Sequence, residues 1–141
     1  MKKHFKIIAL LLTICISMNS CGVMFGGSRY NATIIAENHP QADIYVGGQK
    51  IGTGTAKGLY KRNKPLVVEL REEGCENTTK TFDNMFRTGN FILSVITFGI
   101  VGIAVDLGTG AAYKPDHKHD KNIKKTDTKD FTFTVQSTCK K

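Results

Sequence analysis

The sequence lacks the patterns by which most enzymes and nucleic-acid-binding proteins are recognised. It contains no G-x-S-x-G elbow, no phosphate-binding P-loop and no serine beside a His–Asp arrangement. Its four cysteines form no C-x-x-C pair, so a zinc-type spacing is missing. No nucleic-acid motif accompanies its net charge of +8. We therefore expect a non-enzymatic protein that has no cofactor and no nucleic-acid partner.

The chain also lacks an apolar run as long as the roughly 20 residues that a spanning helix needs. Its first apolar run, residues 7–16, is ten residues long and follows the basic residues Lys2, Lys3 and Lys6. Small and polar residues then lead to Cys21. This order is typical of an export signal.

The residues around Cys21 resemble the lipobox of bacterial lipoproteins. Met18, Asn19 and Ser20 precede the cysteine, and Gly22 follows it. The resemblance implies that residues 1–20 are a signal peptide and that the Cys21 thiol carries the lipid, palmitate included. Because no Asp follows the cysteine, it also implies an outer-membrane protein that faces the periplasm. The alternative is an ordinary signal peptide that happens to end in a cysteine.

The mature chain shows the short alternating segments of a small antiparallel β domain. We expect a tether over residues 21–29 and one domain over residues 30–141. Pro65 and the pair Gly47-Gly48 mark the start of one strand and a tight hairpin turn. The predicted strands cover residues 30–37, 42–46, 49–52, 66–70, 78–82 and 131–135.

Two of these runs resemble a PEGA-type domain. They are residues 42–54 (ADIYVGGQKIGTG) and residues 65–74 (PLVVELREEG), and the resemblance extends over about residues 30–85. It implies a small β-sandwich-like unit of an envelope protein without catalytic activity. The chain differs from the family at Gly54-Thr55-Ala56, where Thr-Pro is usual, and at Cys75, where an aromatic residue is usual.

A second apolar segment interrupts the domain. Residues 91–105, which begin with Phe91 and end with Val105, contain no charge and lie within a predicted insertion at 89–107. A helix that is apolar on every side is buried in protein or in lipid. Two interpretations stay open: a core segment under the sheet, or a shallow re-entrant insertion or helical hairpin in the bilayer. The predicted fold class is therefore mainly β, with an apolar helical segment or hairpin at about 86–112.

The apolar segment ends in the run V-D-L-G-T-G-A-A-Y. This run resembles the distal part of small bacterial lipoproteins that combine a PEGA-like domain with a glycine-rich apolar segment. We expect Asp106, Thr109 and Gly110 to form a structural turn, in which the carboxylate accepts bonds from the local hydroxyl and amides. A proton-handling or ion-binding role for Asp106 is the alternative.

Residues 114–130 are polar and carry interspersed lysines and aspartates, which predicts a flexible basic loop with a solvated surface. Attraction to anionic lipid or an envelope polymer is the functional alternative. His117 and His119 in this loop are weak candidates for a metal site, because two imidazoles on one strand face suit zinc, copper or nickel. The bases of this region are Lys114, Lys118, Lys121, Lys124, Lys125 and Lys129, with Lys140 and Lys141 beyond it.

Two of the four cysteines lie within residues 1–21, and the other two, Cys75 and Cys139, form an even pair in an oxidising compartment. Each lies beside the end of a predicted strand, so a disulfide would pin the tail to the domain. The alternative is a buried Cys75 and a free thiol at Cys139. Taken together, the sequence favours a non-enzymatic lipid-anchored envelope protein with a structural or interaction role. The alternatives are a binding module for a cell-wall or lipopolysaccharide component and a weak metal-binding protein; the protein partner is unknown.

Overall fold

The computed structural model describes residues 6–7 and 27–139, and residues 27–139 contain ten strands and one kinked helix. Within the helix, the side chains of residues 90, 91, 93–95, 97, 98 and 102 are not described. The strands before the helix are β1 (Arg29–Glu37), β2 (Asp43–Val46), β3 (Gln49–Thr53), β4 (Thr55–Lys61), β5 (Leu66–Arg71), β6 (Thr78–Phe82) and β7 (Asn84–Phe86). The helix α1 (Thr88–Thr109) is followed by β8 (Tyr113–Pro115), β9 (Ile123–Lys125) and β10 (Asp130–Gln136).

Alternation of apolar and polar side chains explains the strands that form the core. In β10, Phe131, Phe133 and Val135 are buried and the residues between them are not. β1 repeats this pattern with Tyr30 and Ile34 among its buried residues. Successive side chains of a strand point to opposite faces, so each strand gives the core one apolar face. The predicted mainly β fold class with an apolar helical segment is confirmed.

Eight strands form one sheet in the order β6-β5-β2-β3-β4-β1-β10-β9. Neighbours are antiparallel except for β1 and β10, which run parallel with Ile34 opposite Phe133. The final strand that the sequence predicted thus pairs with the first one. Gly47 and Gly48 form the predicted hairpin turn with φ angles of 59° and 80°. Only glycine adopts both positive angles without a steric penalty.

The sheet coils so that its two ends face each other across one core. Phe82 of β6 packs edge-on against Phe133 of β10, with 5.0 Å between the ring centroids. Tyr30 contacts Phe131 in the same way at 5.6 Å. Within the described residues the sheet does not close into a barrel. The two edges of the sheet therefore meet mainly through side-chain contacts in the described part of the chain.

The helix α1 is an excursion from a two-stranded ribbon of β7 and β8. Phe86 pairs with Tyr113, and the Arg87 amide donates to the Ala112 carbonyl at 2.7 Å, so both ends of α1 lie at one place. A straight helix of 22 residues would separate them by about 33 Å. The chain instead reverses at Gly99, whose φ of 57° and ψ of −141° are not helical. α1 is therefore a helical hairpin with its base at the ribbon.

Two sequence predictions differ from the structure. Residues 114–130 are not a single loop, because β8 and β9 lie partly or wholly within them and Ile123 of β9 is buried beside β10. The turn expected at Asp106 begins later, since α1 continues through Thr109 and ends at Gly110 with a left-handed φ of 79°. In place of the predicted bond to Asp106, the Thr109 hydroxyl donates to the Val105 carbonyl at 2.7 Å.

Candidate functional site

The residues singled out from the sequence lie in separate parts of the molecule. Cys21, the predicted lipidation site, is outside the described residues. Cys75 and Cys139 are joined by a disulfide with 5.5 Å between their Cα atoms. This bond connects the segment before β6 to the segment after β10. It therefore links the two ends of the coiled sheet, where the Thr78 and Thr138 hydroxyls also meet at 3.0 Å.

His117 and His119 do not share a metal-like arrangement. The Nδ1 atom of His117 lies 3.2 Å from the Pro115 carbonyl oxygen, and its ring packs against Phe131. His119 instead contacts the Asp116 carboxylate at 2.9 Å. Among the described residues, no group of three or more His, Cys, Asp or Glu side chains is placed to hold a metal ion.

The hairpin presents large apolar side chains to solvent. We call Ile92, Ile96, Ile100, Val101 and Val105 the apolar surface of α1; all are exposed, and Ile100 reaches 84%. The most exposed ones flank Gly99 at the tip. None of the described α1 side chains belongs to the core cluster. The alternative of a core segment under the sheet is therefore wrong for these residues. Among the described helices, none combines the length and hydropathy needed to cross a membrane.

A cavity of about 320 Å³ lies at the base of the hairpin. We call it the cationic cavity because five basic residues line it: Arg62, Arg87, Lys114, Lys118 and Lys125. Met85, Phe86 and Phe131 supply apolar walls, and Thr88 and Gly89 contribute the first residues of α1. Thr128 completes the lining.

Arg62 is the buried centre of this cluster. Its side chain is fully buried, with Nε donating to the Arg29 carbonyl at 3.3 Å and Nη2 donating to the Thr128 carbonyl at 3.2 Å. Its Nη1 atom is buried without an acceptor in the described part of the chain, and the same holds for Nη1 of Arg87. A buried donor without a partner costs about 1–3 kcal/mol, and more when it is charged.

The local folds of several elements bring these bases together. Arg62 follows β4 and is held by bonds from its own amide to the Ser28 carbonyl and from the Asn84 side chain to its carbonyl, each at 2.9 Å. Arg87 lies between β7 and α1. Lys114 and Lys125 come from β8 and β9. The cavity thus exists only where the ribbon, the hairpin and the sheet meet.

The bases of the cavity act on one another electrostatically. Burial and the charge of Arg87 lower the pKa of Arg62 to about 10, which leaves its guanidinium charged at neutral pH. Burial lowers the pKa of Lys114, and Lys118, Arg87 and Lys125 add to this against the opposing effect of Asp116. Burial also lowers the pKa of Arg87, although the charge of Asp106 acts the other way. The nearby carboxylates do not offset the burial and mutual repulsion of the bases.

No pattern in the sequence marks Arg62 and Arg87 as site residues. They are 25 positions apart and belong to no motif. Lys114, Lys118 and Lys125 were predicted as dispersed surface charges, because aspartates alternate with them. The one available signal was the excess of bases over acids in the chain, which does not locate a site.

Comparison of the chain with protein-family models, with curated proteins and with solved structures finds no match. The resemblance of residues 30–85 to PEGA-type domains therefore stays a prediction from the quoted motif. A function for this chain is inferred from its own residues and their arrangement.

Proposed function

We propose that this chain is a non-enzymatic, lipid-anchored protein of the cell envelope whose helical hairpin makes a second contact with the bilayer. The exposed apolar surface of α1 is the observation that carries the proposal. Large contiguous apolar surfaces on a folded domain mark contact with a membrane or a partner. Here the occupant is a lipid bilayer, held next to the domain by the acyl chains on Cys21.

The dimensions of the hairpin fit one leaflet. Each half of α1 holds about 11 residues and is about 16 Å long. The hydrocarbon core of a bilayer is about 30 Å thick, so one leaflet measures about 15 Å. Ile96, Ile100 and Val101, next to Gly99, would then lie deepest. The hairpin would thus insert into the bilayer from one side, with its base at the level of the lipid headgroups.

The position of the lipid anchor supports the same orientation. Arg29 starts β1 beside the cationic cavity, where its carbonyl accepts a bond from Arg62. Cys21 precedes Arg29 by eight residues, a reach of at most about 28 Å. A second concavity at this end of the sheet, of about 430 Å³, carries exposed Leu59 and Val67 beside Lys61. Apolar side chains with flanking bases suit the surface of an anionic membrane.

Location at the outer membrane, with the β domain in the periplasm, belongs to this proposal. It is supported by Gly22 after the cysteine, as in the lipoproteins that the lipobox resembles. Replacing Cys21 by Ser is expected to abolish incorporation of labelled palmitate. Unchanged labelling would show that the anchor is not at this residue.

The bilayer contact is tested by the depth of a probe in reconstituted vesicles. Full-length protein with Ile100→Cys, labelled with an environment-sensitive fluorophore, should be quenched by lipids that carry a quencher in the acyl chain. Ile35→Cys is the matched control, because Ile35 is also exposed but lies towards the far end of β1. Quenching of Ile100 by aqueous iodide to the same degree as Ile35 would overturn the insertion.

A further inference from the structure

We propose that the cationic cavity is a binding site for the phosphate group of an anionic ligand. This inference is independent of whether the hairpin enters a bilayer, because it rests on the five bases and on two buried donors. A phosphoryl group carries one or two negative charges and several acceptor oxygens. It can therefore accept bonds from two guanidinium groups and a lysine ammonium at once.

The unpartnered donors give the first reason. Nη1 of Arg62 and Nη1 of Arg87 are both buried without an acceptor in the described part of the chain, and both side chains line the cavity. The bonds of the Arg62 guanidinium go to two main-chain carbonyls, which satisfy donors but do not neutralise the charge. A fully buried guanidinium is costly unless an anion compensates it.

The start of α1 gives the second reason. Thr88 and Gly89 line the cavity, and the first amides of a helix lack intrahelical partners. Within the described residues no side chain caps this end, and the first turn holds no acidic residue. Helix N-termini favour phosphate groups, since their amides and the helix dipole both attract negative charge.

The shape of the cavity extends the inference to an esterified phosphate. Its volume of about 320 Å³ falls at the lower end of the range for small-molecule sites. Met85, Phe86 and Phe131 form apolar walls beside the bases. A phosphate ester would place its oxygens on the arginines and its organic part on these walls. Both a phospholipid headgroup and a soluble phosphate ester have this chemistry.

The test uses the full chain, purified in an uncharged detergent, and titrates it with glycerol 3-phosphate by calorimetry. A parallel arm measures flotation with vesicles of phosphatidylglycerol or phosphatidylcholine. Lys125→Gln and Arg87→Gln are expected to weaken binding about tenfold or more, as loss of a charge-assisted bond implies. Lys124→Gln is the matched control, because it removes the same charge from the same strand outside the cavity lining.

Binding of the soluble ester that both cavity variants weaken identifies a soluble ligand. Phosphatidylglycerol binding with the same sensitivity identifies a lipid headgroup. Equal losses in Lys124→Gln and Lys125→Gln would overturn the site, since they would reveal only diffuse attraction. Acetate binding as tightly as the ester, or no binding in either arm, would also overturn it. Melting temperatures show whether each variant is folded. If Arg87→Gln does not fold, Lys125→Gln still decides the test, because Lys125 is exposed and its replacement should leave the fold intact. Because the ester arm needs no bilayer, its result is separate from that of the hairpin.

Discussion

Gly54 is a residue at which the sheet is tightly constrained. It joins β3 to β4 with a φ of 67°, and a Cβ atom there would lie 2.4 Å from the Pro40 carbonyl oxygen. Its amide donates to the Ala42 carbonyl at 2.8 Å, and its own carbonyl accepts from the Ala36 amide at 2.9 Å. We predict that Gly54→Ala lowers the free energy of unfolding by about 2–4 kcal/mol, from positive φ and overlap together.

Gly74→Ala is the control for this substitution. Gly74 has a similar φ of 81°, but a Cβ atom there would meet nothing within 4 Å. Its cost should be confined to backbone strain, about 1 kcal/mol. Thermal unfolding followed by circular dichroism measures both variants. Equal losses would mean that the contact with Pro40 relaxes without cost.

At the scale of elements, six of the ten described strands were predicted from the sequence. β1, β2, β3, β5, β6 and β10 were predicted from the sequence within one residue at each end. β4 was missed because its inward positions include Ala56 and Gly58, while the larger Leu59 points outward. A strand is expected to carry its large apolar side chains on the buried face, and these residues of β4 do the reverse. β9 was missed because Ile123 is its single apolar residue.

The hairpin shows a similar limit. Its length and apolar character follow from the sequence, whereas a hairpin was one of two alternatives that the sequence left open. The segment contains four glycines that the sequence does not distinguish: Gly89, Gly99, Gly102 and Gly108. The pairing of β7 with β8 requires the chain to reverse, and the backbone angles show that it does so at Gly99. The bases of the cationic cavity were hidden for a related reason. They come from four segments whose proximity depends on the hairpin base.

Gly99 therefore carries a prediction for the element as a whole. Its φ of 57° with a ψ of −141° is open to glycine and strained for other residues. We predict that Gly99→Ala costs about 1–3 kcal/mol and lowers quenching of the Ile100 probe, because the reversal is lost. Gly108→Ala is the control, since Gly108 has no positive φ and its Cβ would meet nothing within 4 Å.

The control should be neutral or slightly stabilising, as alanine favours helix by about 1 kcal/mol over glycine. The melting temperature and the quenching of the same Ile100 probe are compared between the two variants. A Gly99→Ala protein that matches Gly108→Ala in both measurements would show that α1 reverses without a strained residue.

At the scale of the whole molecule, the base of the hairpin and the disulfide lie at opposite ends of strand β10. β1 and β10 run parallel, so Arg29 and Asp130 mark the end that holds the cationic cavity and the hairpin base. The disulfide lies beyond the other end of β10. Seven residues of β10 separate the two ends by about 23 Å. We therefore expect the stability that the disulfide provides to be separable from the proposed membrane contact of the hairpin.

The disulfide is the covalent link between the β6 edge of the sheet and β10 near its other edge. Apart from it, the ends meet through the Phe82–Phe133 contact and the Thr78–Thr138 hydroxyl pair, together with a Lys80–Asp120 ion pair at 3.8 Å. Cys75 and Cys139 are 64 positions apart, and a loop of that size gives a stabilisation of about 4 kcal/mol in the chain-entropy model. We predict that Cys75→Ser with Cys139→Ser lowers the free energy of unfolding by up to this amount.

The same double substitution is expected to leave the membrane fraction and the quenching of the Ile100 probe unchanged, because the bond is distant from the hairpin. Ile96→Lys is the converse control, since Ile96 is 77% exposed. It should keep the melting temperature and reduce membrane contact, because an ammonium replaces an apolar side chain at the tip. Intact mass after alkylation without reductant should show no label on Cys75 or Cys139. Two labelled thiols, or a double variant as stable as the parent, would remove the disulfide from this account of how the coiled sheet is held together.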